Sequence, residues 1–261
     1  MKFGLIVIGD EILSGRRQDK HLPRLVELLA ARGHSLSWAQ FIGDDRPRIV
    51  AALREAIASG DIVFSCGGIG ATPDDHTRQC AALAAGLPLA LHPGAKALIE
   101  ERMRDMAAER GEVFEPNRPD NIHRLNMGVF PEGAELIPNP FNKIPGFSVG
   151  RLHFVPGFPV MAHPMIEWVL DTAYADLRPV PHAERALYVF GGMEATLTPL
   201  MERIEAGFEG IRIFSLPSVD HPQRGAHIEL GVKGEPDRVE AAFADLRAGL
   251  EAMPGIRFST E

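Results

Sequence analysis

Apolar positions in the first third of the chain alternate between two rhythms. Residues 3–9 form a short continuous apolar run, the pattern of a strand buried on both faces. Leu22, Leu25, Val26 and Leu29 then recur at helical spacing. They predict a helix from about Leu22 to Arg32, with Gly33 as its stop. Ser35 to Ile42 alternates weakly and reads as a second strand. Pro47 to Ala58 places Ile49, Leu53 and Ile57 on one helical face, with Asp44 or Asp45 available as its cap. Residues 61–66 read as a third strand, followed by a glycine-rich turn and a helix containing Ala81 to Ala85. Strand and helix in alternation predict parallel pairing and a three-layer α/β sandwich with a mostly parallel sheet. Ligands in such sheets sit at the carboxyl ends of the strands. The turns after Gly9, Ile42 and Cys66 should therefore share one edge.

The pattern continues with a helix over residues 94–110 and a Pro- and Asn-rich stretch, Gly111 to Pro140, that reads as irregular. Residues 145–156 read as a hairpin turning at Gly150-Arg151, and Pro156-Gly157-Phe158-Pro159 leads into a helix ending near Leu177. The pattern then restarts with strands at Ala186–Phe190, Ile211–Leu216, Ala226–Val232 and Ile256–Phe258, and helices at Ala195–Ala206 and Asp237–Met253. That order is a small β-α-β-β-α-β unit of the split α/β type. The expected division is a first domain over 1–177, a linker over 178–184 and a small C-terminal α+β domain over 185–261.

Composition narrows the class. At 261 residues, 45% hydrophobic and 24% charged, the chain can bury an ordinary core. It has no apolar run of about 18 residues, so no membrane-spanning helix is expected. The opening apolar run is too short for a signal peptide and meets Asp10-Glu11, so it reads as the first strand. Cys66 and Cys80 are the only cysteines and lack metal-type spacing, which fits reduced thiols and a cytoplasmic location. The formal net charge of -8 argues against general affinity for nucleic acid or anionic membranes.

The candidate chemistry lies in two strand-to-helix turns. In Gly67-Gly68-Ile69-Gly70-Ala71-Thr72-Pro73-Asp74-Asp75-His76-Thr77, three glycines can bring bare backbone N–H groups up to an anion. The plain alternative is a tight connection with Thr72 as N-cap, Pro73 at N1 and Asp75 at N3, which places both aspartates in the helix's first turn. Gly9-Asp10-Glu11-Ile12-Leu13-Ser14-Gly15 reads as a polar turn and a second wall of the same pocket. Asp10 and Glu11, with Asp75, could hold a divalent metal such as Mg²⁺ or Co²⁺ against a ligand phosphate. Ligand contacts are expected at Gly9, Ser14, Gly67, Gly68, Gly70, Thr72, Asp74 and Thr77. Asp44 and Asp75 are the candidates to orient an attacking water. Among Arg16, Arg17 and Lys20, at least two are expected to face solvent. His21 and His76 stand near helix starts as further candidate contacts.

With these motifs, the chain resembles the molybdopterin-binding (MoaB/Mog-type) domain family. Within it, the chain is most similar to the competence/damage-inducible protein A (CinA) branch. The resemblance rests on Gly9 to Gly15 with Asp19, Ile42-Gly43-Asp44-Asp45, Gly67 to Thr77, Asn139-Pro140 with Pro145-Gly146-Phe147, and Pro156-Gly157-Phe158-Pro159. It implies the α/β sandwich and a molybdopterin, adenylylated pterin or ADP-ribose-type ligand. In the CinA branch it also implies a metal-dependent pyrophosphatase, with a non-catalytic pterin- or nucleotide-binding protein as the alternative. Asp44 and Asp75 match the family's pocket acids, and Gly67, Gly68, Gly70 and Thr72 its phosphate turn. Residues 185–258 resemble the KH-like domain of that branch, although no Gly-x-x-Gly loop is evident. The resemblance further implies a homo-oligomer, dimer or trimer. The amidohydrolase domain of longer relatives has no counterpart in these residues, so deamidation is not expected. The chain departs from the family pattern at Lys20-His21, at Asn142-Lys143 and at Val160-Met161, where an amide and a carboxylate are missing or relocated.

Overall fold

The computed structural model describes residues 2–179 and 181–259 and divides into two compact units, Met1–Arg178 and Pro179–Glu261. Val180, in the expected linker, lies outside the described residues.

The first unit is built on a six-stranded sheet. Its strands are β1 (Phe3–Ile8), β2 (Leu36–Ile42), β3 (Ile62–Cys66), β6 (Glu135–Ile137), β7 (Gly146–Val149) and β8 (Leu152–Val155). They lie in the order β2-β1-β3-β8-β7-β6, with β2, β1, β3 and β8 parallel. Period-2 alternation divides β1 between two cores. Phe3, Leu5 and Val7 pack with Leu25, Leu28 and Leu29 of α2 (His21–Ala30) and with Met165, Ile166 and Val169 of α7 (Pro159–Thr172). Ile6 and Ile8 face the opposite way, toward Ile49, Val50 and Leu53 of α3 (Arg46–Ser59) and Cys80 and Ala81 of α4 (Thr77–Ala85). A sheet buried on both faces between helical layers is the expected three-layer sandwich. Asp45 caps α3 by accepting the Arg48 N–H at 3.0 Å, and Gly60 ends it at φ +68°.

The stretch from Gly111 to Pro140 is not irregular. It contains α6 (Pro119–Leu125), a 3-10 turn at Asn126–Gly128, β5 (Val129–Pro131) and β6. β5 pairs with β4 (Leu89–Leu91), which lies ahead of α5 (Pro93–Glu109). These strands have three residues each, too short for a period to register.

The second unit has strands β9 (Ala183–Phe190), β10 (Arg212–His221), β11 (Gly225–Gly234) and β12 (Arg257–Ser259) in an antiparallel sheet ordered β10-β11-β9-β12. Helices α8 (Glu194–Gly207) and α9 (Pro236–Glu251) pack on one face through Leu197, Ile204, Val239 and Leu246. The β-α-β-β-α-β order matches expectation. β10 runs on through Pro217 because it is an edge strand, where a missing N–H is tolerated. Among the described residues, no helix is long and apolar enough to cross a membrane.

Candidate functional site

Four parallel strands end at one edge, and their turns enclose a pocket of about 730 Å³. The ladder continues into the turns: the Gly9 N–H donates to the Ile42 carbonyl and the Gly67 N–H to the Val155 carbonyl, each at 3.0 Å. The first wall is a single helical turn, α1 (Asp10–Leu13), where a polar turn was expected. It is locked to the turn after β2 by reciprocal bonds. The Asp10 N–H donates to Asp44 Oδ2 at 3.0 Å, and the Asp44 N–H to Asp10 Oδ1 at 3.2 Å.

The glycine turn forms the second wall. Gly67 and Gly68 take φ of +107° and +67°, the left-handed region that favours glycine. Space excludes side chains as well: a Cβ on Gly67 would meet the Ile8 carbonyl oxygen, and one on Gly68 the Thr77 hydroxyl. Thr77 holds the turn from behind, donating from Oγ1 to the Gly67 carbonyl and from its N–H to the Gly68 carbonyl. The buried Arg78 guanidinium donates to the Ile69 carbonyl at 3.1 Å. With the carbonyls of residues 67–69 tied inward, the N–H groups of Gly68, Ile69, Gly70 and Ala71 donate to no acceptor among the described residues. All four residues line the pocket.

Helix α4 starts at Thr77, so Thr72 is not its N-cap and Asp74 and Asp75 are not in its first turn. Asp75 instead folds back on Thr72, its Oδ2 accepting the Thr72 N–H at 2.8 Å and hydroxyl at 2.5 Å. One carboxylate thereby closes Thr72-Pro73-Asp74-Asp75 as an independent turn. His76 takes the N-cap position, and its ring shares a hydrogen bond with Arg46.

The third wall is the segment 139–145. Buried Asn139 donates from Nδ2 to Asn142 Oδ1 at 2.8 Å and to the Ile144 carbonyl at 2.9 Å. Lys143, at φ +64°, anchors the segment to α5 through Glu101 at 2.6 Å and Asp105 at 2.7 Å. Asn142 Nδ2 reaches Met161 Sδ at 3.3 Å, and both residues line the pocket with Met127, Ile144 and Phe158. The departures at Asn142 and Met161 thus fall on one pocket wall. Phe158 is exposed, and Arg17 lies 5.7 Å from its ring centroid.

Of the residues expected in the site, Gly9, Glu11, Asp44, Gly67, Gly68, Gly70, Thr72, Asp74 and Asp75 line the pocket. Asp10, Ser14 and Thr77 do not. Asp10 is engaged with the Asp44 amide, Ser14 is the exposed C-cap of α1, and Thr77 is buried behind the turn. Arg16 and Arg17 line the pocket while remaining exposed, and Lys20 is exposed outside it, so the expectation that at least two of the three face solvent holds. His21 is buried behind Gly157, whose carbonyl lies 3.1 Å from its Nε2, and is not in the lining. Met127 gave no sequence signal, since an isolated methionine before a strand has no period.

The electrostatics are mixed. Burial lifts the Asp44 carboxyl above its ordinary range, with the charges of Asp10, Glu11 and Asp74 adding to the shift and the Asp10 N–H opposing it. Among the described residues, no group of three or more His, Cys, Asp or Glu side chains is placed to hold one metal ion. Asp10, Glu11 and Asp75 do not stand together as one three-carboxylate group. Asp10 and Asp75 are engaged with backbone and hydroxyl groups instead.

The sequence profile of the family described as "Probable molybdopterin binding domain" matches residues 4–175. A CinA-like protein of Anaeromyxobacter sp. strain Fw109-5 is 33% identical, the match covering 98% of this chain and 64% of that protein. Another from Anaeromyxobacter dehalogenans strain 2CP-C is 32% identical, over 90% of this chain and 60% of that one. The chain spans less than two thirds of the length of these relatives. The crystal structure of CinA from Thermoplasma acidophilum, described as having unknown function, matches 68% of this chain and 99% of its own at 26% identity and a TM-score of 0.56.

Proposed function

The chain belongs to the molybdopterin-binding domain family, and on that premise we propose that its sheet-edge pocket binds a molybdopterin-type ligand, a phosphorylated pterin, without hydrolysing it. The observation that carries this reading is the row of N–H groups at Gly68–Ala71, which donate to no acceptor among the described residues, in a pocket also lined by Arg16 and Arg17. Four donors fixed on one turn match the oxygens of a phosphate monoester and need no rearrangement to receive it. The pterin ring is flat and aromatic with a polar edge, and its faces suit the wall of Met127, Met161, Ile144 and Asn142. Its amino and ring N–H groups are donors, for which the pocket offers the carboxylates of Glu11 and Asp74.

The non-catalytic reading is favoured over pyrophosphate hydrolysis by what the acids already do. Asp44 and Asp75 are the candidates to position water, yet Asp44 accepts the Asp10 amide and Asp75 closes the Thr72 turn. A thermal-shift panel of molybdopterin, AMP, ATP and ADP-ribose, each with EDTA, Mg²⁺ or Co²⁺, tests the reading. Molybdopterin at about 100 times its dissociation constant should stabilise the fold by about 2.7 kcal/mol with or without metal. Metal-dependent release of AMP from ADP-ribose would replace binding with hydrolysis as the function.

A further inference from the structure

Asn142 carries a side-chain amide whose direction is fixed by its neighbours. Its Oδ1 accepts from Asn139 Nδ2 at 2.8 Å and from the Ile144 N–H at 3.0 Å. A reversed amide would set its own NH2 group against both of those donors, so the oxygen stays with them. Asn139 is fully engaged in holding this arrangement. Its Nδ2 also donates to the Ile144 carbonyl at 2.9 Å, and its Oδ1 accepts the Phe141 N–H at 3.0 Å. The backbone closes the same loop, the Lys143 N–H donating to the Asn139 carbonyl at 3.0 Å. The ion pairs of Lys143 with Glu101 and Asp105 tie it to α5. The amide is therefore set in place before any ligand arrives, which lowers the ordering cost of using it.

The Asn142 NH2 group has two hydrogens to give. One meets Met161 Sδ at 3.3 Å, and a thioether is a weak acceptor. The other has no acceptor among the described residues. Asn142 lines the pocket together with Met127, Met161 and Ile144, so an apolar wall contains one side-chain group that can only donate. Methionine sulfur and aliphatic carbon suit the face of a flat ring. A fixed donor beside them distinguishes rings by their edges. An oxo group is held, while an amino group in the same place leaves two donors facing each other. The second effect is the larger, because unpaired buried donors cost more than one hydrogen bond contributes. Asn142 is also a position where the chain departs from its family's pattern, so this donor belongs to the chain and not to the shared phosphate turn.

Resting on the pterin reading of this pocket, we infer that Asn142 selects the ring by its oxo group. The Asn142 Nδ2–H donates to the 4-oxo oxygen of the pterin, whose face lies on Met127, Met161 and Ile144. A pteridine with an amino group at that position is refused. Guanine carries the same oxo chemistry on a smaller ring system, and the test separates it from a pterin.

Fluorescence titration of the full chain at pH 7 with pterin and with 2,4-diaminopteridine, which replaces the oxo group by an amino group, reads the preference directly. The parent should bind pterin roughly tenfold tighter than the diamino ring. Asn142→Asp is nearly isosteric, and its carboxylate still accepts from Asn139 and Ile144. It offers the pocket an acceptor in place of a donor, so it should reverse the preference and favour the diamino ring. Structural damage weakens both rings and cannot reverse their order. Asn142→Ala removes the amide and should level the two affinities, which keeps the test decisive if the aspartate variant fails to fold. Circular dichroism should show the variants used to be folded. A parent that binds both rings equally, or an aspartate variant that weakens both alike, overturns the inference and leaves the pterin pocket standing. A parent that binds neither ring overturns both. GMP competing as well as pterin overturns the assignment of the oxo group to a pteridine.

Discussion

At Gly67 the backbone φ is +107°, and an added Cβ would run into the Ile8 carbonyl oxygen of the neighbouring strand. The obstacle is backbone, so it cannot swing aside as a side chain does. Gly67→Ala should destabilise the chain by about 2–3 kcal/mol, combining left-handed strain with a displaced strand end. Urea unfolding checks this, and the midpoint should fall with an unchanged m-value. A loss below about 0.5 kcal/mol would mean the turn is soft and the N–H row is not fixed. At this scale the glycines were legible because three of them beside a strand end had no local structural need. Asp75 was not. Its three-residue spacing from Thr72 fits both a capping box and a closed turn, and only the tertiary path of the chain decides between them. Asn142 and Met161 were legible as departures from a family pattern, but their contact across 19 residues was not.

Helix caps and strand ends translate those residues into a pocket. Asp45 caps α3 and sits beside Asp44, so one element end serves stability and site together. Asp45→Ala should cost about 1 kcal/mol, read as a lower denaturant midpoint, while leaving the pocket acids in place. A cost near zero would show that Pro47 and the reciprocal Asp10–Asp44 bonds hold that helix start unaided. The long elements were legible because their periods repeat: α2, α3 and the buried β1 and β3 all appear where the pattern put them. The three-residue strands β4, β5 and β6 went unread because their pairing is set by distant partners. In the second unit, the strand expected over Ile211–Leu216 runs on through Pro217, because an edge position tolerates the missing N–H.

For the whole molecule, acid sensitivity follows from a buried histidine. His153 bridges Ser148 at 2.8 Å and the Tyr174 hydroxyl at 2.7 Å, and burial pushes its pKa down to about 4. The unfolded chain takes up a proton near pH 6.5 and the folded chain does not until about pH 4, so stability is lost as pH falls through that window. The loss is on the order of 3 kcal/mol at most. Chemical denaturation at pH 7, 5.5 and 4.5 should show the parent losing more stability than a His153→Gln variant, and parallel losses would contradict the assignment. The two-unit architecture and the mostly parallel first sheet were legible from the order of elements alone. From the residues alone the ligand was legible only as phosphorylated, and its pterin or nucleotide class came from the family resemblance, because the pocket walls beyond the glycine turn assemble only once the strands are aligned. The most direct measurement is a calorimetric titration of molybdopterin in EDTA into the parent and into an Arg16→Gln/Arg17→Gln variant of matched stability. The account predicts saturable metal-free binding to the parent that weakens roughly tenfold in the variant, as the removal of charge-assisted bonds to phosphate requires. No heat of binding to the parent, or binding that appears only when metal is restored, would contradict it.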